Sequence, residues 1–353
     1  MPSLLVLLTA AGVVWLNLRF LKNGLLAPDF KIIGRAFAFN LGVLPALLGV
    51  VGLLFVVAAT PLARGLSLSV RRTWLAWGGG LLVLALSLIG LRVWVHRIEP
   101  QRLVVRSLTL LSDKLLEPVR VLHLSDIQSG SVGPYEERIF EQVRNLAPDL
   151  ILYTGDWLQP VPPATFNSEW PKMRRLLETL DPPLGIFTVY GDTDGRLYHL
   201  TPAEAGPLIR LGTEPVVIEA PGGRIHLRGL DLFQSRYPDL ARRHVEAWLD
   251  TVPPGAFSLL MGHGPDFLIG LENLAIDLCL AGHTHGGQVR LPGLGPLVTQ
   301  SAIPAAWSRG FHEHGNTRFH VSAGAGSVRH GGLPEIRFNC PTEMTLITLV
   351  PEP

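Results

Sequence analysis

The residues that could do chemistry sit at similar places in the text of the chain. Asp126 closes the run RVLHLS at Arg120–Ser125. Gly155-Asp156 closes DLILYT at Asp149–Thr154, and Gly191-Asp192 closes GIFTVY at Gly185–Tyr190. His263 follows the apolar run Ser258–Met261, and His283 and His285 follow Ala275–Leu280. Short apolar runs of this kind read as buried strands. Each delivers a carboxylate or an imidazole at its carboxyl end, the edge at which open α/β sheets bind ligands. Taken singly, an Asp after a strand reads as a turn or helix cap, and a lone His as a core or surface residue. The ordered series points elsewhere. Carboxylates and imidazoles gathered without cysteine suit hard or borderline divalent cations. Two such ions about 3.5–4 Å apart, sharing a carboxylate, can activate water and clamp a phosphoryl group for in-line attack.

The elements that must position these residues follow from the text between them. Pro134–Leu146 reads as a helix with proline in its first turn. Trp170–Leu180 and Asp239–Leu249 are further helices, the second capped by Asp239. Ile225–Gly229, Arg318–Ser322 and Met344–Leu349 complete the strands. The mixture predicts a layered α/β (α+β) domain over 118–353.

The N-terminal third is different. Met1–Leu18, Ala36–Ala63 and Thr73–Leu91 carry no charged side chain. About 20 apolar residues cross a bilayer as a helix. Residues 1–98 are therefore expected to hold about three transmembrane helices, and 99–117 to be a linker. The whole chain of 353 residues is 47% hydrophobic and 17% charged, too apolar for an ordinary soluble protein. Its net charge of +1 supplies no field for nucleic acid, and none is expected as a partner. Cys279 and Cys340 lie far apart and imply neither a disulfide framework nor a zinc knuckle. The apolar segments hold no acidic or basic residue that could line an ion path, which argues against a transporter.

Orientation follows from basic residues near the span ends. Arg19, Lys22, Lys31 and Arg35 lie between the first two apolar segments, and Arg92, Arg97, Arg102 and Arg106 follow the third. Only Arg64, Arg71 and Arg72 lie between the second and third. The bias places the C-terminal domain in the cytoplasm.

The motifs resemble those of the calcineurin-like metallophosphoesterase family, whose pattern is D-x-H, G-D, G-N-H-D/E, H and G-H-x-H. Here the blocks read Asp126-Ile127-Gln128, Gly155-Asp156, Gly191-Asp192-Thr193-Asp194, His263 and Gly282-His283-Thr284-His285. GHTHGGQ at 282–288, followed by Val289-Arg290-Leu291-Pro292, is the most specific block and is similar to the membrane-anchored bacterial branch. Arg309-Gly310, Val321-Ser322-Ala323-Gly324 and Pro334-Glu335-Ile336-Arg337 are similar to that branch too. The resemblance covers about Val119 to Leu349. It implies a two-sheet β-sandwich flanked by helices, with two divalent metal ions (Mn, Fe, Zn or Mg) and a bridging hydroxide as nucleophile. By position, Asp126 and His285 would hold the first ion and Asp156 would bridge. His263, His283 and Asp192 would hold the second. The branch implies a bacterial inner membrane.

Three positions depart from the pattern. Gln128 replaces a His and offers only a weak metal ligand. Asp192 replaces an Asn and adds a negative charge, which weakens attraction to phosphate. Thr193 replaces the His that assists the leaving group, and a hydroxyl is far too weak an acid to do so near neutral pH. The catalytic acid position is therefore empty. The expected function is hydrolysis of a phosphodiester or phosphoanhydride with a good leaving group, on a lipid-linked substrate reached through the membrane anchor. The alternative is a catalytically impaired, metal- or partner-binding membrane module. Arg337 could grip a substrate phosphate or form a salt bridge. His199 and His330 could stand in as acids but read better as loop residues. His312 and His314 read as a turn, His123 and Trp157 as core, and Trp77–Gly80 as helix-packing text.

Overall fold

The computed structural model describes residues 10–20, 22, 30–60, 66–329 and 334–352. The chain forms two compact units, Met1–Ile98 with Arg329–Ile336, and Glu99–Val328 with Arg337–Pro353.

In the first unit, α1 (Phe30–Ala58) and α2 (starting at Leu68 and running to Val93) pack against each other. Gly78 permits their close approach, because a Cβ there would stand 2.8 Å from the carbonyl oxygen of Gly52. Asn17 and Asn40 exchange side-chain hydrogen bonds of 3.0 and 2.7 Å, a polar clasp between two apolar helical segments. Leu53, Leu54, Val83 and Leu86 point outward and are exposed. Both helices are long and apolar enough to cross a membrane. Of the first expected span, residues 1–9 lie outside the described residues, and 10–20 are helical.

Among the described residues, the second unit contains fourteen strands: β1 (Val104–Ser112), β2 (Val119–Leu124), β3 (Leu150–Tyr153), β4 (Ile186–Thr188), β5 (Leu208–Arg210), β6 (Val216–Ala220), β7 (Gly223–Gly229), β8 (Phe257–Met261), β9 (Leu278–Ala281), β10 (Arg290–Leu291), β11 (Gly295–Pro296), β12 (Gly310–His314), β13 (Thr317–Val321) and β14 (Glu343–Pro351). They make two six-stranded sheets, ordered β1-β14-β2-β3-β4-β5 and β12-β13-β9-β8-β7-β6, and a small β10-β11 hairpin. Helices α3 (Pro134–Leu146) and α4 (Phe166–Leu177) cover the first sheet, and α6 (Pro238–Leu249), preceded by the short α5 (Leu232–Arg236), covers the second.

The central strands alternate their side chains between two cores, as the pleat requires. Val119, Val121, Leu150 and Leu152 meet Leu259, Leu278 and Leu280 between the sheets. Leu122, Leu124, Ile151 and Tyr153 turn outward onto Ile139, Phe140 and Met173 of the helices. Leu260 and Cys279 pack under Val245 and Trp248 of α6. Both faces are covered, so these strands read as unbroken apolar runs.

Two expectations need correction. The stretch 99–117 is not a bare linker, because β1 pairs in parallel with β14 along its whole length. Its apolar text is broken by Arg106, Ser107 and Thr109 because an edge strand has only one neighbour. Asp239 is not the cap of α6. Pro238 opens that helix and Asp239 sits inside its first turn.

Candidate metal centre

Five strands end at one place. The chain after β2 carries Asp126 and Gln128, after β3 Asp156, after β4 Asp192 and Thr193, after β8 His263, and after β9 His283 and His285. Asp126, Gln128, Asp156, His283 and His285 all adopt positive φ, between 39° and 67°. Side chains other than glycine resist this region, at roughly 1–3 kcal/mol each, and remain there only when their surroundings dictate it. Gly191 has no such choice of residue, since a Cβ there would meet the ring of His263 at 2.6 Å.

The side chains converge. Nε2 of His285 lies 3.3 Å from Asp126 Oδ1. Nε2 of His263 lies 3.5 Å from both Asp156 Oδ2 and Asp192 Oδ2, and Nδ1 of His283 lies 3.1 Å from the same Asp192 oxygen. The ligand atoms of Asp192, His263 and His283 lie within 4.8 Å of one another, as do those of Asp126, Asp156 and His263. Asp126, Asp156, His263 and His285 are fully buried, while Asp192 is 34% exposed. The open side of the site is therefore at Asp192.

The donor set fits divalent cations. His263 places Nδ1 at 2.7 Å from the carbonyl of Thr154, which fixes its proton there and leaves Nε2 aimed at carboxylates. Nε2 of His263 and of His285 are buried without a hydrogen-bond partner. A buried orphan nitrogen facing carboxylates asks for a cation between them. The electrostatics agree. Burial opposes charge on His263, yet the nearby carboxylates of Asp156, Asp192 and Asp126 push its pKa up to about 10. Burial would raise Asp126 and Asp192, but their histidines hold both well below the ordinary carboxylate range.

Around Asp156 the structure revises the sequence reading. Gln128 donates from its side-chain Nε2 to Asp156 Oδ2. Thr193 donates to Asp156 Oδ1 from both its backbone N–H, at 2.8 Å, and its hydroxyl, at 3.1 Å. Arg337 is fully buried and donates to the carbonyls of Ala323, Cys340 and Pro341 at 2.7–3.2 Å, so it cannot reach a substrate. It secures the chain segment beside His285 instead. His312 hydrogen-bonds the Arg309 carbonyl, Trp157 stacks on Tyr153 in the core, and His330 lies outside the described residues.

Two contributors escaped the sequence reading. Asp194 accepts from the backbone N–H groups of Asp156, Trp157 and Gly191 at 2.7–2.9 Å and ties two ligand loops together. Burial and the nearby Asp156 raise its pKa to about 7. Arg236 of α5 places Nη2 at 2.6 Å from Asp192 Oδ2. The block G-D-T-D hints at the first; nothing near Arg236 in sequence hints at the second.

A sandwich of two sheets that delivers carboxylates and imidazoles from five strand ends to one edge defines a metal-dependent phosphoester hydrolase. Residues 119–287 match the family model of the calcineurin-like phosphoesterases. Metallophosphoesterase YkuE of Bacillus subtilis is 29% identical over 238 residues, 65% of this chain and 78% of that one. Phosphodiesterase YaeI of Escherichia coli is 26% identical over 275 residues, 73% and 92% of the two chains. UDP-2,3-diacylglucosamine pyrophosphatase LpxG of Chlamydia muridarum is 23% identical over 253 residues, 57% and 74% of the two.

Proposed function

We propose that this chain is a membrane-anchored phosphohydrolase that cleaves a phosphoanhydride or an activated phosphodiester of a lipid-linked substrate. The observation that carries the reading is the pair of buried, unpartnered Nε2 atoms of His263 and His285 facing three carboxylates. Asp126, Asp156 and His285 would hold one divalent ion, and Asp156, Asp192, His263 and His283 a second. When bound, such ions neutralise phosphoryl charge and lower the pKa of water. The chain's own residues do the rest. Thr193 and Gln128 fix both oxygens of Asp156, Asp194 holds its loop, and the exposed Asp192 marks the entrance.

Leaving-group preference follows from Thr193. Both of its donors are committed to Asp156, and its hydroxyl cannot protonate an alkoxide. A phosphate or phenolate leaves without that help. The pyrophosphatase among the relatives acts on a lipid-bearing nucleotide, and the apolar helices α1 and α2 supply an anchor that suits such a substrate. The location we infer is a bacterial inner membrane with the catalytic domain in the cytoplasm.

The test is turnover by the purified protein with added manganese, on bis(p-nitrophenyl) phosphate, a diphosphate diester and an alkyl phosphodiester, beside Asp156→Asn. Bound metal is measured in parallel. We expect about two ions per chain, turnover of the first two substrates at least ~10²-fold above the third, and loss of turnover in the variant. Equal rates on the alkyl ester would overturn the leaving-group argument. Bound metal without turnover of any substrate would instead favour a metal-binding membrane module.

A further inference from the structure

We infer that Arg236 binds the second phosphoryl group of a diphosphate substrate and thereby selects phosphoanhydrides over simple phosphodiesters. The inference rests on the hydrolase reading above and names the substrate class of that same site.

The position of Arg236 is fixed. Ser235 before it is fully buried, and its hydroxyl accepts from the backbone N–H of Gly264 at 3.3 Å, next to His263. A Cβ on Gly264 would touch the stem of Arg236 at 3.4 Å, so the side chain runs along the His263 loop. Its guanidinium ends at Asp192, with one nitrogen 2.6 Å from Oδ2. Among the described residues, no other donor of this guanidinium has a hydrogen-bond partner. Arg236 is 42% and Asp192 34% exposed, whereas Asp126, Asp156, His263 and His285 are closed to solvent. The pair therefore stands where a substrate must enter.

Stability does not explain the pair. Exposed ion pairs contribute little, because water screens them and ordering long side chains costs entropy. Charge does explain it. Asp192 adds a negative charge to a site that must receive an anion, and Arg236 restores a positive one on the open side. A guanidinium is a planar fork whose free donors match phosphate oxygens in pairs. Placed beside the reacting centre, it would engage a phosphoryl group one bond away and stabilise it as it leaves. The same turn also exposes Phe233 and Tyr237, with ring centroids 4.4 Å apart and each more than half exposed. Large aromatics left in water beside a cation mark a contact surface.

The experiment compares Arg236→Ala, Arg236→Lys, Asp192→Asn and the Arg236→Ala/Asp192→Asn double variant in the full-length, manganese-loaded protein. Substrates are UDP-glucose, with two phosphoryl groups, and bis(p-nitrophenyl) phosphate, with one. For Arg236→Ala we expect kcat/KM on UDP-glucose to fall about 10–100-fold. The ratio of the two activities should fall at least ~10-fold. Lys should recover part of the loss, and Asp192→Asn should not rescue it. An equal loss on both substrates, or rescue by Asp192→Asn, would show that Arg236 only neutralises Asp192 and would overturn the inference. Binding separates this from the hydrolase reading. If the parent protein turns over neither substrate, calorimetry with methylenediphosphonate and with inorganic phosphate decides. A loss of affinity in Arg236→Ala at least ~10-fold greater for the diphosphonate upholds the inference without catalysis, and equal losses refute it.

Discussion

At the scale of single residues, the site turns on Asp156. Its two oxygens receive Thr193 and Gln128 and face His263, so two of the three departures from the family pattern converge on one carboxylate. Restoring either histidine should therefore act on a separate step. Gln128→His replaces a hydrogen bond to Asp156 with an imidazole lone pair, and we expect manganese to bind about 10-fold more tightly by calorimetry. Unchanged affinity would mean that position 128 does not face the metal. Thr193→His returns a group able to protonate an alkoxide. Its expected effect is a gain of about 10²-fold on alkyl phosphodiesters and much less on p-nitrophenyl esters, read from initial rates. Equal gains on both would remove leaving-group protonation as the explanation. The residues that converge at the site were legible in the sequence because each follows an apolar strand. Gln128, Arg337 and Arg236 were not, because their partners come from other segments. Asp192 lies 44 residues from Arg236, and the carbonyls that consume Arg337 come partly from the Ala323–Gly326 turn.

At the scale of elements, strands buried on both faces announced themselves and edge strands did not. Leu259 and Leu278 sit in unbroken apolar runs, whereas β1, β5 and β6 have one neighbour each and mix polar with apolar residues. The inter-sheet core should be correspondingly intolerant. Leu259→Ala removes a fully buried side chain between the sheets, and we expect a loss of about 2–5 kcal/mol in urea unfolding. A loss below ~1 kcal/mol would mean that the sheets close over the gap. The sheets also meet at a polar point, where Nδ1 of His123 on β2 lies 2.8 Å from Nδ1 of His320 on β13. Burial, and then His320, holds His123 well below its ordinary pKa; burial takes His320 down to about 4 despite the opposing charge of Glu343. Both folded values lie below the unfolded value near 6.5, so the unfolded chain takes up these protons first. Stability is therefore full above about pH 6.5 and declines as pH falls toward 4, by up to about 1.4 kcal/mol per unit per histidine. His320→Gln should lose less between pH 7.5 and 5.0 than the parent protein, judged by urea midpoints. Equal losses would assign the acid sensitivity elsewhere.

At the scale of the whole molecule, the sequence divides sharply into an apolar third and a domain of ordinary composition, and the chain clusters into units that begin and end near that boundary. Helices α1 and α2 expose leucine and valine on outward faces, a surface that water does not tolerate but hydrocarbon does. On the proposed reading, such an anchor would hold the domain where a lipid-linked substrate is concentrated. On that reading it would also set the compartment of the site, because two crossings between Arg35 and Arg92 would keep both flanks on one side. Those flanks carry the larger share of basic residues: Lys31, Arg35, Arg92 and Arg97 against Arg64, Arg71 and Arg72 between the helices. Basic residues near span ends stay on the cytoplasmic face. Fused at Pro353 and expressed in a bacterial host, green fluorescent protein should therefore fluoresce and alkaline phosphatase should remain inactive. The protein should also stay in the membrane pellet after alkaline carbonate washing. An active phosphatase fusion with a dark fluorescent one would place the domain outside, and with it the substrate. Removing charge from one flank, by Arg92→Gln with Arg97→Gln, should shift a measurable fraction of the fusions toward that outcome, because it leaves the three basic residues between the helices in the majority around α2.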